Sequence, residues 1–197
     1  IISSKIFSGI NGNVQIPGDK SISHRSIIIP SISNGITEIS NILMSTDVLH
    51  TLEAFTSMGI KIEKNHDKLV IHGKGLKGLK KPEKDIYLGN SGTGARLLIG
   101  LLSSQEFSSV LTGDNSLSKR PMARIIDPLK LMNANFNDNN GKMPIKIYGN
   151  NLKAAKFEIK VPSAQVKSGI MLAALNAFGK TQITEDSITR DHTEIML

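Results

Sequence analysis

The sequence repeats itself about every 70 residues, and a repeat of that length confines the fold to stacked copies of one supersecondary unit. Ser21 opens S-I-S-H-R-S-I-I-I, Ser91 opens S-G-T-G-A-R-L-L-I and Ser163 opens S-A-Q-V-K-S-G-I-M-L, at spacings of 70 and 72 residues. A strand-like stretch precedes each start: V-Q-I-P, D-I-Y-L and F-E-I-K-V-P. A cation follows four or five residues on (Arg25, Arg96, Lys167), and then an apolar run. Free amide N–H groups at a helix start, the positive end of the helix dipole and a nearby cation together suit an anionic oxygen. Three such starts point to a protein that holds small, multiply charged anions.

Alternating and 3.6-periodic apolar residues extend the repeat to an α/β unit of order β-α-β-α-β-β, present nearly three times. Unit one predicts strands over 14–16 and 36–42, helices over 24–33 and 46–57, and a strand pair over 60–63 and 68–72 turning at Asn65, His66 and Asp67. Unit two predicts strands over 85–88 and 108–112, helices over 91–103 and 121–132, and a hairpin at D-N-N-G leading into a strand over 144–148. Unit three predicts a strand over 157–161, a helix over 164–177, a strand over 180–184 and a helix begun by R-D-H-T-E-I-M-L. A third full unit starting at Lys156 would run to about residue 225, so the reading expects more chain than the sequence carries. Pro121 suits a first helical turn, and Gly35, Gly59 and Gly179 are expected to terminate helices.

Composition narrows the partners. The net charge is +7, but much of the excess lies in K-G-L-K-G-L-K-K-P-E-K (residues 74–84), which reads as a solvated loop. Aromatic residues make up only 4 % and Trp is absent, leaving little to stack on bases, and no nucleic-acid-binding signature appears. Small acidic substrates account for the charge better than nucleic acid does. Zero Cys excludes thiol catalysis, disulfides and zinc-thiolate sites. No apolar run approaches the ~20 residues of a membrane span, and the first ten residues do not read as a signal peptide, so a cytoplasmic location is expected.

Five segments carry candidate chemistry. In P-G-D-K-S-I-S-H-R, Lys20 can place an ammonium over a phosphate or carboxylate, Ser21 can donate a hydroxyl hydrogen bond and Arg25 can fork onto an oxyanion; His24 reads as structural. L-G-N-S-G-T-G-A-R resembles a phosphate-cradling loop around Gly92, without the ending of a nucleotide P-loop. In L-T-G-D-N-S-L-S-K-R-P-M, Lys119 and Arg120 fall at an expected helix start, where cations oppose the dipole unless an anion compensates. In V-P-S-A-Q-V-K-S, Ser163 and Gln165 offer neutral donors and acceptors at a helix N-terminus, and Lys167 reads as a surface residue. In T-R-D-H-T-E, Arg190 stands beside Asp191 and His192, and Asp47 is the carboxylate best placed near the first unit's ligands.

Together these segments, in this order and spacing, resemble the 3-phosphoshikimate 1-carboxyvinyltransferases, or EPSP synthases, over essentially all 197 residues. The R-P-M, S-A-Q-V-K-S and R-D-H-T-E forms are similar to the bacterial group that includes glyphosate-tolerant members. The resemblance implies the enolpyruvyl transferase fold and transfer of the enolpyruvyl group of phosphoenolpyruvate to the 5-hydroxyl of shikimate 3-phosphate, with no metal or organic cofactor. It implies that Lys20 touches both substrates, as the catalytic residue in this chain. Ser21, Arg25, Ser163, Ala164, Gln165 and Arg190 would hold shikimate 3-phosphate; Gly92, Arg120 and Gln165 would line the phosphoenolpyruvate site.

Family members are roughly twice this length, with two domains closing on the substrates. The resemblance therefore implies that residues 1–18 belong with a second domain, and that 19–197 form an incomplete shikimate-3-phosphate-side domain. It also implies that the carboxylate base and further cations lie in a C-terminal half, in cis or on a separate chain. Two readings compete. The sister transferase acting on UDP-N-acetylglucosamine usually carries a reactive Cys ahead of the R-P pair, where Asn115 stands here. The other is a non-catalytic binding fragment or one subunit of a split enzyme.

Overall fold

The computed structural model describes residue 9, residues 11–65 and residues 68–197. Residues 1–8 and 10, and with them most of the start of the expected segment 1–18, lie outside the described residues, as do His66 and Asp67 of the expected turn. The chain runs α1 (Lys20–Ile32), β1 (Asn34–Ser40), α2 (Thr46–Ser57), β2 (Lys61–Asn65), β3 (Lys68–Lys74), β4 (Ile86–Tyr87), α3 (Gly92–Ser103) and β5 (Ser109–Thr112). It continues through α4 (Asn115–Lys119), α5 (Ala123–Leu131), β6 (Asn135–Asp138), β7 (Ile145–Tyr148), β8 (Lys156–Ile159), α6 (Ala164–Ala174), β9 (Gln182–Glu185) and α7 (His192–Met196).

Three sheets mark the three units. Unit two is complete among the described residues: β4 pairs with β5 in parallel, β7 with β5 antiparallel, and β6 closes the edge on β7. Unit one contributes β1-β3-β2, antiparallel throughout, and unit three the parallel pair β8-β9. The stretch over 14–16 is not a strand. Val14 and Ile16 are 86 % and 74 % exposed, and alternation alone does not hold a strand that no described neighbour pairs with.

Helix α3 is the axis of the molecule. Its sequence G-T-G-A-R-L-L-I-G-L-L-S is apolar nearly all round, and ten of its twelve residues are buried. It lies along α6, and the crossing is made by two glycines. A Cβ at Gly100 would run into the Gly169 carbonyl, and one at Gly169 would meet the Arg96 carbonyl at 2.8 Å. The two backbones touch, so the starts of α3 and α6 are fixed in register.

Several boundaries differ from the sequence expectation for local reasons. Helix α1 begins at Lys20 because Asp19, not Ser21, caps it, its Oδ1 accepting from the Ile22 amide at 2.8 Å. Ser91 and Ser163 do cap α3 and α6. Gly59 terminates α2 with φ +85, the Gly59 and Ile60 amides bonding back to Thr56 and Phe55. Asn133 ends α5 in the same way, bonding back to Lys130 while Ala134 reaches Leu129. Gly35 and Gly179 fall beyond the helix ends, in β1 and in the loop before β9. The helix expected over 121–132 is α5, with Pro121 just outside it, and a further short helix, α4, precedes it over Asn115–Lys119. Lys119 and Arg120 thus close the C-terminal end of α4, where cations suit the dipole, and the expected conflict does not exist.

The glycine crossing is testable. Gly100→Ala gains about 1 kcal/mol of helix propensity but must separate two packed backbones. Overpacking of this kind costs typically 1–3 kcal/mol and more when backbone cannot yield. A net loss of at least about 2 kcal/mol in urea unfolding is expected. Gly12→Ala, with open space around its Cβ position, should shift stability by no more than about 0.5 kcal/mol.

Candidate active site

The starts of α1, α3 and α6 converge on one polar cavity of about 340 Å³. It is lined by Lys20, Ser21, Gly92, Arg120, Gln165 and Arg190 from the sequence-derived set, together with Asp47, Asn90 and Thr93. The Lys20 ammonium sits 3.0 Å from Asp47 Oδ2, which fixes it at the cavity wall. Arg190 Nη1 donates to Ser21 Oγ at 3.4 Å, joining α1 to the segment ahead of α7. Arg120 Nη2 donates to Asn90 Oδ1 at 2.6 Å, and Gln165 Nε2 to Thr93 Oγ1 at 2.9 Å.

Gly92 has a steric reason to be glycine. A Cβ there would stand 2.9 Å from Arg120 Nη1 and 3.1 Å from Arg96 Nη1, so two guanidinium groups crowd the first turn of α3. Burial, and then the charges of Arg120 and Arg124, lower the Arg96 pKa. The lining is positive, with Lys20, Arg120 and Arg190 against Asp47 alone. Such a surface suits an anion.

The three cations of the repeat do something else. None of them lines the cavity: Arg25 and Arg96 tie one unit to another, and Lys167 ties together elements of unit three. Arg25, 3 % exposed, donates from Nε to Thr193 Oγ1 at 2.6 Å and from Nη2 to Ser168 Oγ at 2.7 Å. Burial, ahead of repulsion from Arg190, lowers its pKa. Arg96 Nη1 donates to Gln165 Oε1 at 2.8 Å, clamping α3 to α6. Lys167 is buried rather than on the surface, bonded to Glu185 at 2.8 Å and Glu194 at 2.6 Å; burial opposes its charge, but the two carboxylates outweigh it and raise its pKa. Arg25 is thus not in the cavity lining. Ser163 uses its Oγ to cap α6, next to half-buried Ala164 and behind Gln165.

His24 is the hub beneath the cavity. It is fully buried, its Nδ1 2.8 Å from Thr51 Oγ1 and its Nε2 3.5 Å from Ser91 Oγ. The tautomer that satisfies every group donates from Nδ1 to Thr51 and accepts at Nε2 from Ser91, whose Oγ also accepts the Gly94 amide. One neutral imidazole thereby joins α1, α2 and the cap of α3. Asn90 and Thr93 were not singled out from sequence; the signal was their place inside L-G-N-S-G-T-G-A-R, where the glycines drew the reading.

A family model described as EPSP synthase (3-phosphoshikimate 1-carboxyvinyltransferase) matches residues 5–197. The chain is 56 % identical over 187 residues to the 3-phosphoshikimate 1-carboxyvinyltransferase of Vesicomyosocius okutanii subsp. Calyptogena okutanii, covering 94 % of this chain and 43 % of that one. It is 47 % identical over 196 residues to that of Shouchella clausii, covering 98 % and 46 %. The solved EPSP synthase of Acinetobacter baumannii superposes with a TM-score of 0.89 at 50 % identity, over 93 % of this chain and 42 % of that one. The fold is that of the enolpyruvyl transferases. The chain belongs to the EPSP synthase family, and it spans less than half the length of the relatives it matches. Among the described residues no helix is long and apolar enough to cross a membrane.

Burial holds the His24 pKa down to about 4 from its ordinary 6.5; the charge of Asp47 opposes this, and those of Lys20 and Arg25 add to it. The unfolded chain takes up this proton near pH 6.5 and the folded chain only near 4. The protein should therefore keep its full stability above pH 6.5 and lose up to about 3 kcal/mol as pH falls toward 4. Urea midpoints for wild type and His24→Gln across this range should show a steeper acid loss in the wild type.

Proposed function

We propose that this chain supplies the shikimate-3-phosphate side of an enolpyruvyl transferase, which moves the enolpyruvyl group of phosphoenolpyruvate to the 5-hydroxyl of shikimate 3-phosphate and releases phosphate. The observation that carries this reading is the gathering of Lys20, Ser21, Arg120, Gln165 and Arg190, from all three units, around one small polar cavity. Neutral and cationic donors in that number suit two phosphorylated substrates, and the family's name supplies the chemistry.

In this reading Lys20, Ser21, Gln165 and Arg190 hold shikimate 3-phosphate, with Ser163 and Ala164 contributing from the first turn of α6. Arg120, Gly92 and Gln165 face phosphoenolpyruvate, and Lys20 reaches both. Arg25 acts indirectly, by fixing α1 against α6 and α7. Phosphoenolpyruvate is protonated at its methylene carbon as the hydroxyl, giving up its proton, attacks C2; the tetrahedral intermediate then loses phosphate from C2 and a proton from the new methyl group, leaving the enolpyruvyl ether. Fixed cations stabilise the charge that moves onto the phosphates. The relatives' additional length would supply the proton-transferring carboxylates and the opposing wall, and residues 1–18 would join that second domain. A cytoplasmic setting agrees with these substrates.

Titration calorimetry with shikimate 3-phosphate tests the assignment. Lys20→Met should weaken binding by roughly 1.5–3 kcal/mol, the worth of a charge-assisted hydrogen bond. Lys74→Met, at the exposed end of β3, should change it by less than about 0.5 kcal/mol. Equal losses from the two would mean diffuse electrostatics and would sink the site.

Arg120 separates the two substrates. Arg120→Ala should leave shikimate-3-phosphate affinity of this chain within about 0.5 kcal/mol. Joined to the length its relatives carry, the same substitution should abolish most turnover and raise the phosphoenolpyruvate KM. A calorimetric loss as large as that of Lys20→Met would move Arg120 to the other substrate.

A further inference from the structure

The loop between β9 and α7 carries Arg190 into the candidate site and has little core of its own. Asp186, Ser187 and Arg190 are exposed, and Ile188 is 100 % exposed. Such a stretch gains almost nothing from apolar burial, so its conformation has to be set from its two ends. Polar groups hold both.

On the near side, Glu185 closes β9 and turns its carboxylate back over the loop. Its Oε1 accepts from the Thr189 amide at 3.1 Å and its Oε2 from the Thr189 hydroxyl at 2.9 Å. Oε1 also takes the Lys167 ammonium at 2.8 Å. The Lys167 hydrogen bond holds the Glu185 carboxyl below its ordinary pKa; burial opposes this and the Thr189 bonds add to it, so the acceptor stays ionised. Lys167 has a second carboxylate in Glu194, 2.6 Å away, so neutralising the lysine does not by itself require Glu185. What Glu185 adds is a grip on the residue directly before Arg190. On the far side, Thr193 is 1 % exposed; it accepts from Arg25 Nε at 2.6 Å and donates to Ser168 Oγ at 2.7 Å. Arg190 is strung between these two fixed points, and its Nη1 reaches Ser21 Oγ at 3.4 Å.

We propose that Glu185, gripping Thr189 and itself held by Lys167, is a positioning residue that presents Arg190 to the ligand of the cavity. Which ligand is presented rests on the shikimate-3-phosphate reading above; the anchoring does not. An arginine on a free loop gives up backbone as well as side-chain freedom when it meets an anion. Here the backbone part is given up during folding, before the ligand arrives, and that raises affinity without any further contact to the ligand. The third cation of the repeat thereby acts on the cavity at one remove, through Glu185 and Thr189 to Arg190.

Two measurements test this. Backbone nitrogen relaxation of the ligand-free protein reads the anchoring directly. The order parameter of the Arg190 amide should lie near the rigid value of about 0.85 in the wild type and fall below about 0.6 in Glu185→Ala, with a smaller fall in Thr189→Val. Thr189 is only half-buried in the loop, so its variant reports even if Glu185→Ala unfolds. Calorimetric titration with shikimate 3-phosphate then reads the consequence. Thr189→Val should weaken binding about fivefold, as loss of one hydrogen bond predicts, and Glu185→Ala should weaken it further. In an Arg190→Ala background neither substitution should weaken binding beyond the loss from Arg190→Ala itself, because a positioning residue has nothing left to position. General loosening of the fold would instead persist in that background, and such persistence would overturn the proposal. A mobile Arg190 amide in the wild type, or a rigid one in both variants, would overturn it as well. Order parameters that fall as expected in a protein that shows no shikimate-3-phosphate binding would uphold the anchoring and sink the ligand reading alone.

Discussion

The close approach of α3 and α6 at Gly100 and Gly169 is the contact on which the rest depends. Backbone against backbone leaves no side chain to flex, so the two helices cannot slide. That rigidity sets where their first turns end up. Gly92 and Thr93 begin one helix and Gln165 the other, and the Arg96–Gln165 and Gln165–Thr93 hydrogen bonds span the gap that the crossing defines. A cavity wall made from two helix starts thus inherits its geometry from a contact two turns deeper in the core.

A division of labour among the cations follows from the same architecture. The repeat offers each unit a cation one turn into its first helix, and one turn in is where side chains face the neighbouring unit. Arg25 and Arg96 accordingly bond to groups from unit three, Lys167 bonds two carboxylates of its own unit, and all three are largely withdrawn from water. The cations that face the cavity come from less regular places: Lys20 from the residue after a cap, Arg120 from the junction of α4 and α5, and Arg190 from the loop before α7. Structural positive charge is repeated because the scaffold is repeated. The charge that faces the cavity is not repeated.

The sequence made the scaffold legible for the reason it made the repeat legible. Apolar periodicity and the Ser91 and Ser163 caps are local signals, and α2, α3 and the sheet of unit two appear where they point. The strand expected over 14–16 fails because pairing is not a local property: Val-Gln-Ile alternates correctly and has nothing described to pair with. The short helix α4 is not legible in the periodicity because it is five residues long and rests on a local cap, Asp114 accepting from the Leu117 amide. Seven of the residues singled out from sequence, Asp47 among them, share one cavity. Arg25 was singled out for its charge, but direction of approach, which decides whether an arginine meets a ligand or a core hydroxyl, is not written in spacing.

The bond from Arg25 to Thr193 joins residues 168 positions apart. A ribosome adding about 5–20 residues per second needs roughly 10–30 s to make that interval. For all of that time α1 exists with a guanidinium meant for burial and without the hydroxyls that satisfy it. The helix cannot take up its final depth while the arginine still requires water. Helix α1 is therefore among the later parts of this chain to settle, and the Ser21–Arg190 side of the cavity waits with it. In a nascent chain, the lifetime of that exposed helix is set by the rate of translation rather than by the rate of folding.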